Sequence, residues 1–300
     1  MYIQKSYEML KCIKEVRKLL KTKKAYAKIN LTLDLTGVLP NGYHPIFTLM
    51  QTVSLCDEVQ VEINDSAVIE IESDAENMPL DMSNTAYKAA ALFLEKIGKS
   101  ATGVKISIIK NIPSEAGLAG GSADAAAVLN LLNEHFSYPL TEKELLEIAL
   151  KVGADVPFCV KGKTQLCQNI GEVMSELPSF SAFVVIAKPR EGVSTKEAFA
   201  RFDKSENIAH PDNDNFLFYA ARGEYKKALE NAFNIFELLT PVSQGEYIKE
   251  TMRNHGAYYA SMSGSGSAFF GLFDSKEDAE KCEEALRDNV YFTCVCETVN

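Results

Sequence analysis

With 300 residues and a formal net charge of −10, the chain is long enough for two domains that each bury a core. It is also too acidic for a general nucleic-acid binder, which would carry a basic face. Hydrophobic residues make up 46% and charged residues 24%, an ordinary globular mix, and no apolar run approaches the ~20 residues a membrane span needs. The seven cysteines and four histidines fall in no metal-ligand or CxxC spacing, so the cysteines read as reduced thiols of a cytoplasmic protein without a resident metal.

Residues 1–24, MYIQKSYEMLKCIKEVRKLLKTKK, put Leu10, Ile13, Val16 and Leu20 on one stripe, with eight basic and two acidic residues around them. That pattern predicts an extra surface helix, docked on the body or on another subunit, with a membrane-surface helix as the alternative. Charges interrupt every apolar cluster here, so it does not read as a secretory signal. AYAKINLTLDLTGVL then alternates as a strand, with Ile29, Leu31, Leu33 and Leu35 on one face. PNGYH is a turn signal. TLMQTVSL, DEVQVEI and AVIEIES are three further strands. NTAYKAAALFLEKIG is a helix with Asn84 as N-cap and Gly98 as its stop. GVKISIIKNI is a strand, residues 122–135 a helix, and TEKELLEIALKVG a helix with Thr141 and Glu144 in capping-box register. AFVVIAKP is a buried strand. Two helices follow, over NDNFLFYAARGEYKKALENAFNIFELL and SQGEYIKETMRNHG. AYYASMSGSGSAFFGLF is strand–loop–strand, SKEDAEKCEEALRDN a helix and VYFTCVCETV a closing strand. Strands and helices mix without a βαβ repeat, which predicts an α+β fold of two lobes, 25–188 and 189–300, breaking near PREGVSTKEAF.

Between strand and helix lies PSEAGLAGGSADAAAVLNLLN. Glycines let a backbone approach a ligand closely, and a helix start offers unpaired N–H groups with a partial positive charge. Joined, they make a phosphate cradle. Pro113, Ser114, Glu115, Ala116, Gly117, Leu118, Ala119, Gly120, Gly121, Ser122 and Ala123 form the candidate polyphosphate site. Gly117, Gly120 and Gly121 are its permissive positions, and Ser122 offers a hydroxyl to a phosphate or to magnesium. A Walker A loop would need Gly-Lys-Ser/Thr, and the dinucleotide fingerprint needs G-x-G-x-x-G; neither is present. The competing interpretation is a small-residue helix packed tightly on a sheet.

PSEAGLAGGSADAA resembles the second motif of the GHMP kinases, the galactokinase–homoserine kinase–mevalonate kinase–phosphomevalonate kinase superfamily, and SMSGSGSAFFGLF is similar to their third. AYAKINLTLDLTGVLPNGYH, LMQTVSLCDEV, VGADVPFCV and GVSTKEAF resemble, more narrowly, the branch whose acceptor is a cytidine-diphosphate-linked methylerythritol. The matches run in family order from Ala25 to Phe273. The resemblance implies a two-lobe α+β kinase fold, ATP as donor and Mg2+ as helper. It implies phosphorylation of the tertiary C2 hydroxyl in the non-mevalonate route to isoprenoid precursors. Its partners would be these small molecules, with no nucleic acid or membrane, in a monomer or weak homodimer. The alternatives are a GHMP kinase for another alcohol, against which NGYH speaks, and a non-catalytic nucleotide or sugar sensor, against which Lys28 and Asp155 together speak.

The resemblance also implies roles. Asp155, which composition alone would make an N-cap, becomes the catalytic base. Lys28, otherwise a snorkelling surface lysine, should sit beside it and stabilise negative charge. Asn30, on the same strand face as Lys28, matches a substrate-contacting asparagine. Lys110 matches the position that meets the nucleotide phosphates. Tyr43 would stack on cytosine and His44 bond its edge, with Phe199 on the other side of the base; the bland alternative is turn packing. Gly264, Ser265 and Gly266 should line the site. Two departures from the family pattern stand out: Asn169 where a glycine is usual, and Ser267 where proline is frequent. Asn tolerates positive φ, so the turn at 169 should survive.

Overall fold

The computed structural model describes residues 21–40 and 42–300. Its first sheet is built on a 19-residue spine. β1 (Lys21–Leu35) pairs antiparallel along β2 (Ile46–Asn64), from Lys21↔Val61 to Leu35↔Ile46. TLMQTVSL and DEVQVEI are one continuous strand here, because no glycine or proline separates them. On the other edge of β2, β4 (Gly103–Ile109) pairs with one end and β5 (Thr164–Asn169) with the other. β3 (Ile69–Ser73) adds parallel to β4 and β6 (Val173–Glu176) antiparallel to β5. The helix expected over 1–24 is corrected at its end: Lys21 to Lys24 open β1, paired with Val61 to Glu58. Residues 1–20 lie outside the described residues.

Local signals place the helices of this half. α1 (Thr85–Lys96) starts where Asn84 accepts from the Ala86 N–H. α2 (Gly120–His135) begins two residues before the expected start. α3 (Glu142–Val152) carries the reciprocal Thr141–Glu144 capping box. α4 (Val156–Lys161) begins at Val156-Pro157, with proline in the first turn as helix starts favour. Ala123, Ala125, Ala126 and Ala127 of α2 are almost fully buried, so small side chains do let α2 lie close on the strands.

The second sheet runs β10 (Phe292–Glu297), β7 (Phe183–Lys188), β9 (Phe269–Phe273), β8 (Tyr259–Met262), all antiparallel. β7, expected on the near side of the lobe boundary, therefore belongs to this sheet. Its alternation joins two cores: Val184 and Ile186 pack with the first, Val185 and Ala187 with the second. α5 (Thr195–Phe202), α9 (Gly245–Asn254) and α10 (Lys276–Arg287) pack around it. The helical stretch expected over 213–239 is broken into α6 (Asn213–Ala220), α7 (Tyr225–Ala228), a 3-10 turn over Leu229–Asn231 and α8 (Phe236–Leu239). Gly223, at φ +74, turns the chain after α6.

Both strand faces of β1 are buried. Ala25, Ala27, Ile29 and Leu31 enter the first core, Leu33 and Leu35 the second. Lys28, Asn30, Thr32 and Asp34 on the opposite face are covered too. The Thr32 hydroxyl and Leu33 N–H bond the Phe233 carbonyl from the second lobe. Six cysteines among the described residues are free thiols. None of the described helices is long and apolar enough to cross a membrane.

Candidate active site

Two glycine loops face each other. The segment before α2 passes through left-handed backbone at Glu115, Gly117 and Ala119. Gly120 and Gly121, read from sequence as permissive positions, are instead the first residues of α2. There a Cβ on Gly121 would meet the Thr85 hydroxyl at 3.2 Å. Gly117 is the position that requires glycine: at φ +72, its Cβ would fall 2.0 Å from the Ser263 carbonyl oxygen. The loop after β8 answers it, with Ser267 N–H reaching the Glu115 carbonyl and Ala268 N–H the Ala116 carbonyl. Ser267, the non-proline departure, donates its hydroxyl to the Glu191 carbonyl at 2.5 Å. A proline there could donate neither bond.

Lys28 ends at this junction. Its ammonium donates to Asn30 Oδ1 at 2.6 Å and to the Gly117 carbonyl at 2.8 Å, and lies 3.7 Å from Asp155 Oδ2. The Asn30 amide also donates to Thr48 Oγ1 at 2.8 Å. That buried amide orients Lys28 through its oxygen and is itself anchored to Thr48. Asp155 stands at the N-cap position of α4, yet its side chain makes no capping bond. The carboxylate instead faces the cleft, with 34% of its side chain exposed.

The cleft encloses about 1250 Å³. Lys28, Asn30, Tyr43, His44, Lys110, Asp155, Phe199, Gly264, Ser265 and Gly266 line it, as do residues 113–122. Of the sequence candidates Ala123 alone is absent. Each helix residue turns about 100° from the last, which buries Ala123 on the body side of α2.

Lys110 is gripped from below. Its ammonium bonds Asp57 Oδ2 and, at 2.7 Å, Asp124 Oδ2. Asp57 is fully buried and also accepts from the Asn111 and Ile112 N–H groups at 2.6 and 2.8 Å. Burial pulls the Lys110 ammonium down in pKa, but the two carboxylates outweigh it and leave it raised. Burial pushes the Asp124 carboxyl up to about 7 against the pull of Lys110, and Asp124 Oδ1 has no hydrogen-bond partner. Sequence reasoning missed both aspartates. Asp57 reads only as the first residue of the strand DEVQVEI, and Asp124 in GGSADAA is hidden among alanines.

At the far end, Tyr43 is 60% exposed. The His44 ring packs on Phe199 with centroids 5.0 Å apart and edge-on to Phe202 at 5.5 Å. His44 Nε2 lies 2.7 Å from Asp203 Oδ1. Phe202 and Asp203 were also missed, because only the fold brings them to the turn at 42–45. The turn at Asn169 survives as expected, at φ +59 with its amide on Glu172.

Comparison with known proteins gives the family. The GHMP kinases N terminal domain family matches residues 84–163, and the GHMP kinases C terminal family matches residues 221–291. The 4-diphosphocytidyl-2-C-methyl-D-erythritol kinase of Clostridium tetani (strain Massachusetts / E88) is 42% identical over 92% of this chain and 99% of its own length. That of Caldicellulosiruptor saccharolyticus is 43% identical over 91% and 96%. The crystal structure of a 4-(cytidine 5'-diphospho)-2C-methyl-D-erythritol kinase superposes with a TM-score of 0.75 at 31% identity, covering 93% of this chain and all of that one.

Proposed function

Because this chain belongs to the 4-diphosphocytidyl-2-C-methyl-D-erythritol kinase family of the GHMP kinases, we propose that its cleft transfers the γ-phosphoryl group of ATP to the 2-hydroxyl of that cytidylyl polyol, a step toward isoprenoid precursors. Asp155 takes the hydroxyl proton. The acceptor is a tertiary alcohol, crowded and weakly acidic, so a positioned carboxylate helps. Lys28 steadies the negative charge that develops on the attacking oxygen, and Asn30 with the Gly117 carbonyl holds its ammonium in place.

The residues before α2 fit a polyphosphate. Ala119, at the N-cap, supplies no side-chain cap, so the first N–H groups of α2 remain available to an anion at the positive end of the helix. Lys110 and Ser122 add a charge and a hydroxyl at the same mouth. Magnesium, bound with the nucleotide, would neutralise charge on the transferring group, and Ser122 would offer it a hydroxyl. Tyr43 and Phe199 hold the cytosine and His44 reads its edge. A volume of about 1250 Å³ exceeds the ~300–1,000 Å³ of a single small-molecule pocket, in keeping with two substrates bound together.

The observation that carries this reading is the Lys28 ammonium, bonded to the glycine loop on one side and adjacent to Asp155 on the other. It links the donor half of the cleft to the acceptor half. ADP formation with and without the cytidylyl polyol tests it. ADP that appears only with that acceptor supports the assignment. ADP that appears with homoserine or mevalonate instead would move the acceptor elsewhere in the superfamily, and none with any alcohol would make the chain a sensor.

A further inference from the structure

His44 is held by more than the turn that carries it. Asp203, at the C-terminal end of α5, puts Oδ1 2.7 Å from His44 Nε2. Phe199 and Phe202, from the same helix, pack against the ring. The imidazole is thus fixed in position by two aromatics and in rotation by a carboxylate 159 residues away. Among the described residues no hydrogen bond goes to its other nitrogen, Nδ1. A carboxylate only accepts, so a neutral ring in this arrangement carries its proton on Nε2 and leaves Nδ1 a lone pair.

We propose that Asp203 is a positioning residue for acceptor specificity: by holding the Nε2–H tautomer of His44 it makes Nδ1 an acceptor, which selects a base bearing an exocyclic amino group over one bearing a carbonyl there. Cytosine offers such an amino donor, and uracil offers only an acceptor at the same position. A uracil would face Nδ1 lone pair to lone pair and leave both unpaired. This inference rests on the reading of Tyr43 and His44 as the base site. It goes beyond that reading by naming the group that decides which face of His44 is presented.

The test compares wild type with Asp203→Leu, Asp203→Ala and the conservative Asp203→Glu at pH 8. Calorimetry measures binding of cytidine diphosphate, uridine diphosphate and a non-hydrolysable ATP analogue, and long-range 1H–15N NMR assigns the His44 tautomer. Asp203 is half exposed, and melting curves establish that each variant is folded. The expected result is an Nε2–H signature in wild type, lost in Leu and Ala and restored in Glu. The preference for cytidine over uridine diphosphate should fall by about 10-fold with it, while the ATP analogue is unaffected. A doubly protonated or Nδ1–H ring in wild type overturns the proposal. So does an unchanged cytidine preference in folded Leu and Ala variants. If His44→Ala and Tyr43→Ala still weaken cytidine diphosphate in that second case, only the role of Asp203 has failed. If neither does, the base site itself has been misread.

Discussion

Gly117→Ala is the substitution that most directly probes how the two loops make the site. Alanine at φ +72 costs about 1–2 kcal/mol for left-handed backbone. Its Cβ would also lie 2.0 Å from the Ser263 carbonyl oxygen, where a carbon–oxygen contact needs about 3.3 Å. The loops must therefore part by more than about 1 Å. The Gly117 carbonyl receives Lys28 Nζ at 2.8 Å and Ser263 Oγ at 2.9 Å, and a displacement of that size breaks both bonds. Lys28 is then held beside Asp155 by Asn30 alone, and a misplacement near 1 Å typically costs ~10²-fold in rate. We expect kcat to fall by about that factor and the melting temperature by about 2–8 °C. Gly98→Ala is the control: φ is +68 there, with nothing within 4 Å of the new Cβ. It should lower stability through backbone strain alone and leave kcat untouched. Steady-state kinetics with ATP and the cytidylyl polyol, beside calorimetric melting, measure both. A Gly117→Ala enzyme that keeps more than about a third of wild-type kcat would refute the argument that this contact sets the geometry.

Asp155→Asn should lose ~10²–10⁴-fold in kcat and keep its melting temperature and ATP-analogue affinity, because the side chain caps nothing; retention of a third of the rate would remove Asp155 from the base role. Tyr43→Ala should raise the dissociation constant for cytidine diphosphate roughly 5- to 150-fold, the equivalent of a ~1–3 kcal/mol stacking loss, and leave the ATP analogue alone; calorimetry showing the reverse would disqualify NGYH as the base clamp. Asp124→Asn has a pH signature. Burial raises the folded carboxyl to about 7 from about 3.9 unfolded, so the folded state binds the extra proton between those values and its stabilisation is lost as pH rises from about 4 to about 7. An amide cannot ionise, so the variant should gain stability relative to wild type between pH 5 and pH 8 in urea unfolding. An identical difference at the two pH values would show that Asp124 does not titrate there.

What the sequence by itself determined is what depends on near neighbours. The Asn84 cap, the Thr141–Glu144 box and the turn at Asn169 involve atoms a few residues apart, so residue chemistry in one window settles them. The same holds for strand alternation in β1, which put Lys28 and Asn30 opposite Ile29 and Leu31, and for the loop that leads into α2. The tertiary structure decided what those surfaces meet. Alternation could not say that the polar face of β1 would be buried, since the Phe233 and Gly117 carbonyls that satisfy it come from other parts of the fold. Nor could it say that Lys110 would be gripped by Asp57, 53 residues away, or that His44 would meet Asp203. The assignment of β7 to the second sheet has the same cause. Packing between lobes overrides the propensity of a single window, because most of the stabilisation of a short helix or strand comes from the surface it buries against its neighbours.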